Sequence, residues 1–86
     1  MFTAKITVSR SPDSAGQSRA TMHGIWGPVY VDGDSPENAL ERLERHSLLM
    51  SVYRPYVRYV LKGLREWRYS YTDLYIGIPT TTILLD

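Results

Sequence analysis

The chain has 86 residues, and its 43% hydrophobic content with ten Lys and Arg against nine Asp and Glu is typical of a folded globular protein rather than a disordered one. This length predicts one domain over residues 1–86, since chains divide into domains of roughly 100–200 residues. The absence of cysteine excludes a disulfide scaffold, a thiol nucleophile, a cysteine-based zinc site and an iron–sulfur cluster. No apolar run approaches the roughly 18 residues of a membrane span, so we expect a soluble, cytoplasmic protein with no membrane partner.

The first third of the chain predicts an antiparallel sheet. Apolar and polar residues alternate over 2–9, as in a half-buried strand. Residues 10–19 contain Ser, Pro, Gly and Asp but no bulky apolar residue, so they predict a solvated hairpin loop. Further strands are predicted at 20–26 and 29–31, and the Gly-Pro pair between them predicts a bend or bulge.

A well-capped helix follows these strands. Ser35 is a good N-cap, and Pro36 suits the first helical position. The apolar spacing predicts a helix at about 35–49, with Glu41 and Arg45 as an i,i+4 ion pair on its surface. The side of this helix predicted to face inward comprises Ala39, Leu40, Leu43, Ser47 and Met50.

A second amphipathic helix is predicted at 55–67. Pro55 cannot lie deep inside a helix, so it marks a break near 50–54 and the opening of the next helix. The apolar stripe of this helix comprises Tyr53, Val57, Val60, Leu61, Leu64 and Trp67. Beyond the helix, β-branched and aromatic residues predict a strand at 71–78, a kink, and a short edge strand at 80–85.

These elements predict the α+β class. The expected architecture is an antiparallel sheet of about three to five strands with two helices on one face. The expected order is β-β-(β)-α-α-β-(β), where the strands in brackets are the shorter ones. Such a small domain has a thin core, so its surfaces are the places to search for function.

The second helix carries the strongest charge asymmetry in the chain. Residues 51–70 contain five basic residues and one acidic residue, Glu66, a net charge of +4. Arginine and tyrosine combine contact area with hydrogen bonding, which makes them efficient at protein interfaces. The predicted partner-binding residues are Arg54, Tyr56, Arg58, Tyr59, Lys62 and Arg65.

Several interpretations of this surface remain open. The leading one is contact with another protein that has an acidic surface. A second is a nucleic-acid-binding module that uses the basic and tyrosine-rich helix at about 55–68 to contact phosphates and stack bases. A third is a homo-oligomer whose exposed tyrosines meet across a twofold axis. The structural alternative is that the basic side chains cover the rim of the core while their charged ends stay in water.

Motifs for catalysis or metal binding are not evident. Asp32, Asp34 and Glu37 lie close in sequence but lack the pattern of a calcium loop, and a turn followed by an N-cap accounts for them. His23 and His46 lack metal-ligand spacing, and His46 is predicted on the edge of the first helix. We therefore expect neither an enzyme nor a bound metal or cofactor.

One segment resembles a known family. The stretch VYVDGDSPENALERL, residues 29–43, resembles the strand-to-helix junction of HicB-like antitoxin domains, in which a short sheet leads through a Gly-Asp-Ser/Thr turn into a helix. The resemblance covers about fifteen residues and transfers no functional residue. The small size and lack of cysteine also resemble phage-encoded inhibitors such as anti-CRISPR proteins. The resulting expectation is a non-catalytic protein-binding module, an inhibitor or adaptor from a phage or mobile element that occludes a partner's functional surface.

Overall fold

A computed structural model describes residues 2–24, 27–49, 51–66 and 81–85. The predicted α+β class and the predicted order of elements are confirmed. In chain order the elements are β1 Phe2–Arg10, β2 Ser18–Gly24, β3 Gly27–Gly33, α1 Pro36–Glu44, α2 Arg54–Arg65 and β4 Thr81–Leu85. The strand predicted at 71–78 lies outside the described residues, as do Trp67 and Met50.

The four described strands form one antiparallel sheet in the order β3-β2-β1-β4. The register of β1 and β2 places Ile6 opposite Met22 and Val8 opposite Ala20, so these apolar side chains share one face. All four are buried, and Lys5 on the other face is exposed, which confirms the alternation predicted for the first strand. The last strand lies at an edge of this sheet, as predicted.

Two boundaries in the sheet differ from the prediction. The loop predicted at 10–19 is shorter, because β1 continues to Arg10 and β2 begins at Ser18. The bulge predicted at the Gly-Pro pair is wrong, because β2 and β3 pair without interruption from Ser18 opposite Gly33 to Gly24 opposite Gly27. Gly27 instead begins β3 with a φ of 101°, a conformation that glycine adopts readily. The proline that follows is tolerated because β3 is an edge strand.

Both helices contribute to one core on the apolar face of the sheet. From α1 the core receives Ala39, Leu40 and Leu43, and from α2 it receives Val57, Val60, Leu61 and Leu64. The apolar stripe predicted for the second helix is thus confirmed over its described residues. Tyr53, just before α2, is also buried, and its ring packs so closely on Gly24 of β2 that a side chain there would collide with it. This contact positions the start of α2 over the sheet.

The first helix begins as predicted but ends earlier. The Oγ atom of Ser35 accepts a hydrogen bond from the backbone N of Asn38 at 3.1 Å, which is an N-cap. The helix ends at Glu44, five residues before the predicted end, so Ser47 is exposed and does not belong to the buried side. Leu49 enters the core instead.

The predicted ion pair between Glu41 and Arg45 is also replaced by a different contact. Glu41 bonds Arg65 of α2, because the two helices lie side by side and bring these side chains together. Within the described residues, neither helix has the length and apolarity needed to cross a bilayer.

Candidate functional site

The six predicted partner-binding residues all lie on α2, but they differ in accessibility. Arg58, Tyr59, Lys62 and Arg65 are exposed, whereas Arg54 and Tyr56 are half-buried. A helix turns about 100° per residue, so one side of α2 can supply apolar residues to the core while the other side faces solvent. We refer to the solvent-facing basic residues Arg58, Lys62 and Arg65 as the basic ridge.

Arg54 connects the two helices. Its Nε atom donates to the carbonyl oxygen of Glu44 at 3.0 Å, and its Nη2 atom donates to that of His46 at 3.2 Å. The last carbonyl groups of a helix have no partner within the helix, so Arg54 supplies a donor to the carbonyl of Glu44 at the end of α1. The carbonyl of His46 also accepts from the backbone N of Leu49 at 3.0 Å, and Arg54 is its second donor. This geometry makes Arg54 a positioning residue for the α1–α2 connection. Direct binding of a partner by Arg54 stays a prediction.

The basic ridge lies beside three glutamates of α1. Glu37, Glu41 and Glu44 follow one another at spacings of four and three residues, which places them on one side of α1, and we refer to them as the acidic row. From the ridge, Arg58 donates Nε and Nη2 to Oε1 of Glu44 at 2.9 and 2.7 Å. Arg65 bonds Glu41 through Nη2, and its Nε lies 4.0 Å from Oε2 of Glu37.

These contacts between the helices were missed in the sequence interpretation. The signal was present in the spacing, because Arg58 and Arg65 are separated by two helical turns, as are Glu37 and Glu44. An antiparallel helix pair brings two such rows together. The mistake was to count the charge of residues 51–70 without the charge of the neighbouring helix.

Lys62 makes a weaker ion pair than the arginines of the basic ridge. Its Nζ atom lies 3.9 Å from Oε1 of Glu66, one turn further along the chain. Both side chains are well exposed, and an ion pair of this kind contributes little to stability. The ammonium group of Lys62 is therefore accessible to a carboxylate from another molecule.

Exposed apolar side chains concentrate near the start of α2. Among the large hydrophobic residues of the described chain, those that are exposed are Tyr30, Leu48, Val52 and Tyr59. All but Tyr30 lie between residues 48 and 59. At spacings of four and three residues, Pro55, Tyr59 and Lys62 follow one line along the outward side of α2. Together with the exposed Val52 of the preceding turn, we refer to these four residues as the outward stripe.

The sequence pattern did not predict that Leu48 and Val52 are exposed near the start of α2. The helix predicted to residue 49 did not separate these two leucines, but in the structure Leu49 is buried in the core and Leu48 is exposed to solvent. The two adjacent leucines were a signal, since a thin core cannot accept both when the chain turns between them.

Among the described residues, the second exposed tyrosine is Tyr30, which lies on the face of the sheet opposite the core, referred to here as the open face, and belongs to a cluster of polar contacts. The Arg19 guanidinium lies 4.2 Å from the ring centroid of Tyr30 and donates to Asp32 at 2.8 Å and to Asp13 at 2.7 Å. Ser11 donates to the second oxygen of Asp32 at 2.9 Å. The hydrogen bond from Arg19 lowers the pKa of Asp32, and the same bond raises the pKa of Arg19. This cluster holds the first hairpin loop against β3.

The acidic and histidine candidates do not converge. Within the described residues, no group of three or more His, Asp or Glu side chains is placed to hold a metal ion. His23 is exposed on β2, and His46 lies beyond the end of α1, where its Nδ1 atom accepts from the backbone N of Leu48 at 3.1 Å. The predicted location of His46 on the helix edge is thus wrong, because α1 ends earlier.

No protein-family model, curated protein or solved structure significantly matches this chain. The likeness of residues 29–43 to the HicB-like junction is confined to that local stretch. The outward stripe and the basic ridge are therefore interpreted from their own geometry.

Proposed function

We propose that this protein is a non-catalytic protein-binding module that docks through the outward side of α2. The observation that carries the proposal is the exposure of Tyr59, 51% of whose surface faces solvent on a helix whose other side is buried. Tyrosine at the centre of an interface often contributes a large share of the binding energy, because it buries a large ring and still satisfies its hydroxyl group.

The surroundings of Tyr59 support an interface. Val52 and Pro55 extend the apolar part of the outward stripe towards the α1–α2 connection, where Leu48 is exposed as well. Several exposed apolar residues in one short region are more informative than single ones, because singly scattered exposed hydrophobic residues are normal.

The charge around the outward stripe favours an acidic protein partner. Lys62 belongs to the stripe, and Arg58 lies next to Tyr59 with 74% of its side chain exposed. The segment 54–65 contains four basic residues and no acidic residue. Arg58 bonds Glu44 with two nitrogens, but a guanidinium has further N–H donors that a partner carboxylate can accept.

The same proposal includes the biological role. A small domain whose working element is one helix surface suits an inhibitor or adaptor that occludes a partner's functional surface, as phage and mobile-element proteins do. We place this activity in the cytoplasm. A homodimer through α2 is less favourable, since a twofold axis through the outward stripe would place Lys62 of one copy near the cations of the other.

Capture of partners from a lysate of the source organism tests the proposal when the wild type is compared with variants. Tyr59→Ala and Lys62→Glu remove the anchor and reverse a flanking charge. The matched control is Tyr30→Ala, which removes an equally exposed tyrosine, 52% against 51%, from the open face of the sheet. We expect a protein that the wild type and Tyr30→Ala retain and that both α2 variants lose.

Two results contradict the proposal. One is that every captured protein binds Tyr59→Ala and Lys62→Glu as well as the wild type. The other is that Tyr30→Ala alone loses the partner, which would move the interface to the open face of the sheet. Light scattering of the wild type at several concentrations separates the homodimer, because only that alternative predicts a mass that doubles with concentration.

A further inference from the structure

The acidic row of α1 is placed where it affects the basic ridge more than it affects stability. Each of its ion pairs joins a half-buried glutamate to an arginine of α2 that is mostly exposed, and water around the arginine limits the gain in stability. Glu44 is moreover the last residue of α1, where the helix dipole disfavours a carboxylate. Its side chain is only 18% exposed, so it is held in a fixed position under Arg58. Such a carboxylate mainly changes the electrostatic potential of the α2 surface.

Carboxylates lie beside the cations of α2 along the edge that the two helices share. The four cations of α2 are Arg54, Arg58, Lys62 and Arg65. The four carboxylates beside them are Glu37, Glu41, Glu44 and, just after α2, Glu66. A basic helix attracts a phosphate backbone through its unneutralised charge, which releases counterions from the nucleic acid. Internal carboxylates within 4.0 Å of the ridge arginines weaken that long-range attraction, while the exposed N–H groups of Arg58 and Lys62 stay available for short-range hydrogen bonds to a docked partner.

We infer that the acidic row determines specificity by excluding nucleic acid from α2. Arg58, Lys62 and Arg65 span about 10 Å along the helix, enough to follow adjacent phosphates of a single strand, and Tyr59 lies among them for stacking. The acidic row prevents this use of the ridge, and the exposed apolar residues of the outward stripe remain for a protein. This inference concerns nucleic acid alone and does not depend on the identity of the protein partner.

Neutralising the row tests the inference directly. The test variant is Glu41→Gln with Glu44→Gln, since glutamine keeps a hydrogen-bond acceptor for each arginine. The control is Asp34→Asn with Asp86→Asn, which raises the net charge equally at positions outside the sequence of α1 and α2. The probe is fluorescently labelled single-stranded DNA of mixed sequence, and fluorescence anisotropy gives the dissociation constant at 50 mM and 200 mM salt.

The expected result is an affinity at least about tenfold tighter for the glutamine variant than for either the control or the wild type at the lower salt. For this variant, the logarithm of the association constant should fall with the logarithm of the salt concentration with a slope of about −2, as expected for roughly three phosphate contacts on a single strand. Adding Arg58→Gln and Lys62→Gln should abolish the gain. The single variant Glu44→Gln, a milder change, should give an intermediate affinity.

Three results overturn the inference. The first would be equal DNA affinities of the glutamine variant and the control, which would show that the position of the removed carboxylates does not matter. The second would be a wild type that binds DNA as tightly as the glutamine variant, which would make α2 a nucleic-acid-binding element that the acidic row does not mask. The third would be a gain in DNA affinity that persists after Arg58→Gln and Lys62→Gln, which would place the DNA away from the basic ridge. Circular dichroism of each variant confirms that the compared proteins are folded.

Discussion

Leu61 and Tyr59 lie two residues apart on α2 but on opposite sides of it. Leu61 is buried among the residues of the core, whereas Tyr59 exposes half of its surface beside Arg58 and Lys62. The inward side of α2 is apolar and contacts α1, and the outward side mixes aromatic, apolar and basic residues. One helix can therefore serve stability on one side and the proposed recognition on the other, so changes only two residues apart should separate the two properties.

The largest expected effect is on the inward side. Replacing Leu61 with alanine removes buried methyl groups and leaves a cavity, which should lower the free energy of unfolding by about 2–5 kcal/mol. Urea unfolding followed by circular dichroism measures this change as a shift of the midpoint with an unchanged slope. A loss below about 1 kcal/mol would mean that α2 does not pack on the core as described.

Arg54 lies at the boundary between the two sides, and its replacement should have the next largest effect. Arg54→Ala removes the side-chain donor to the carbonyl group of Glu44 and one of the two donors to that of His46, at an expected cost of about 1–3 kcal/mol. The control is Arg58→Ala, which loses an exposed ion pair and should cost at most about 1 kcal/mol. Equal losses for the two variants would remove the distinction between a positioning arginine and a ridge arginine.

The N-cap of α1 supports the helix against which α2 packs. Ser35→Ala removes the acceptor for the backbone N of Asn38 and should cost about 1 kcal/mol. Ser35→Asp, which can accept the same bond, should keep nearly all of the stability. Thermal unfolding compares the three proteins, and an alanine variant as stable as the wild type would contradict the assigned cap.

A smaller, pH-dependent effect is expected on the open face of the sheet. The hydrogen bond from Arg19 holds the pKa of Asp32 below its usual value. A carboxyl group with a lowered pKa in the folded state stabilises the protein above its unfolded pKa and loses this contribution as the pH falls through the folded pKa. The stability advantage of the wild type over Asp32→Asn should therefore be constant near neutral pH and shrink below about pH 4. A constant advantage down to pH 2 would contradict the role of this bond.

The two ends of α1 show how far the sequence determines the structure. The start depends on adjacent residues, because Ser35 and Pro36 act within one turn, and it is predictable. The end depends on Arg54, which is ten residues beyond Glu44 in the chain and reaches it only after the connection has folded back. The predicted inward side continues through Ser47 and Met50 and suggests more helix, but the tertiary contact of Arg54 overrides it.

The candidate site divides in the same way. Helical periodicity predicts which residues of α2 face inward, and therefore that Tyr59 and the basic residues face outward. The pairing of Arg58 with Glu44 depends on the position of α1 beside α2, and a count of charges along the chain does not contain this information. The exposure of Leu48 and Val52 follows from the early end of α1, which the predicted helix over 35–49 does not include.

The account depends most directly on the outward side of α2 as a docking surface. The decisive measurement is the dissociation constant of the captured partner for the wild type, Tyr59→Ala and Tyr30→Ala by isothermal titration calorimetry. The free energy of unfolding of Tyr59→Ala should lie within about 0.5 kcal/mol of that of the wild type, as is usual for surface substitutions. It should bind about thirtyfold more weakly, which corresponds to the loss of a binding hot spot, while Tyr30→Ala binds as the wild type does. Equal affinities of Tyr59→Ala and the wild type would contradict the account.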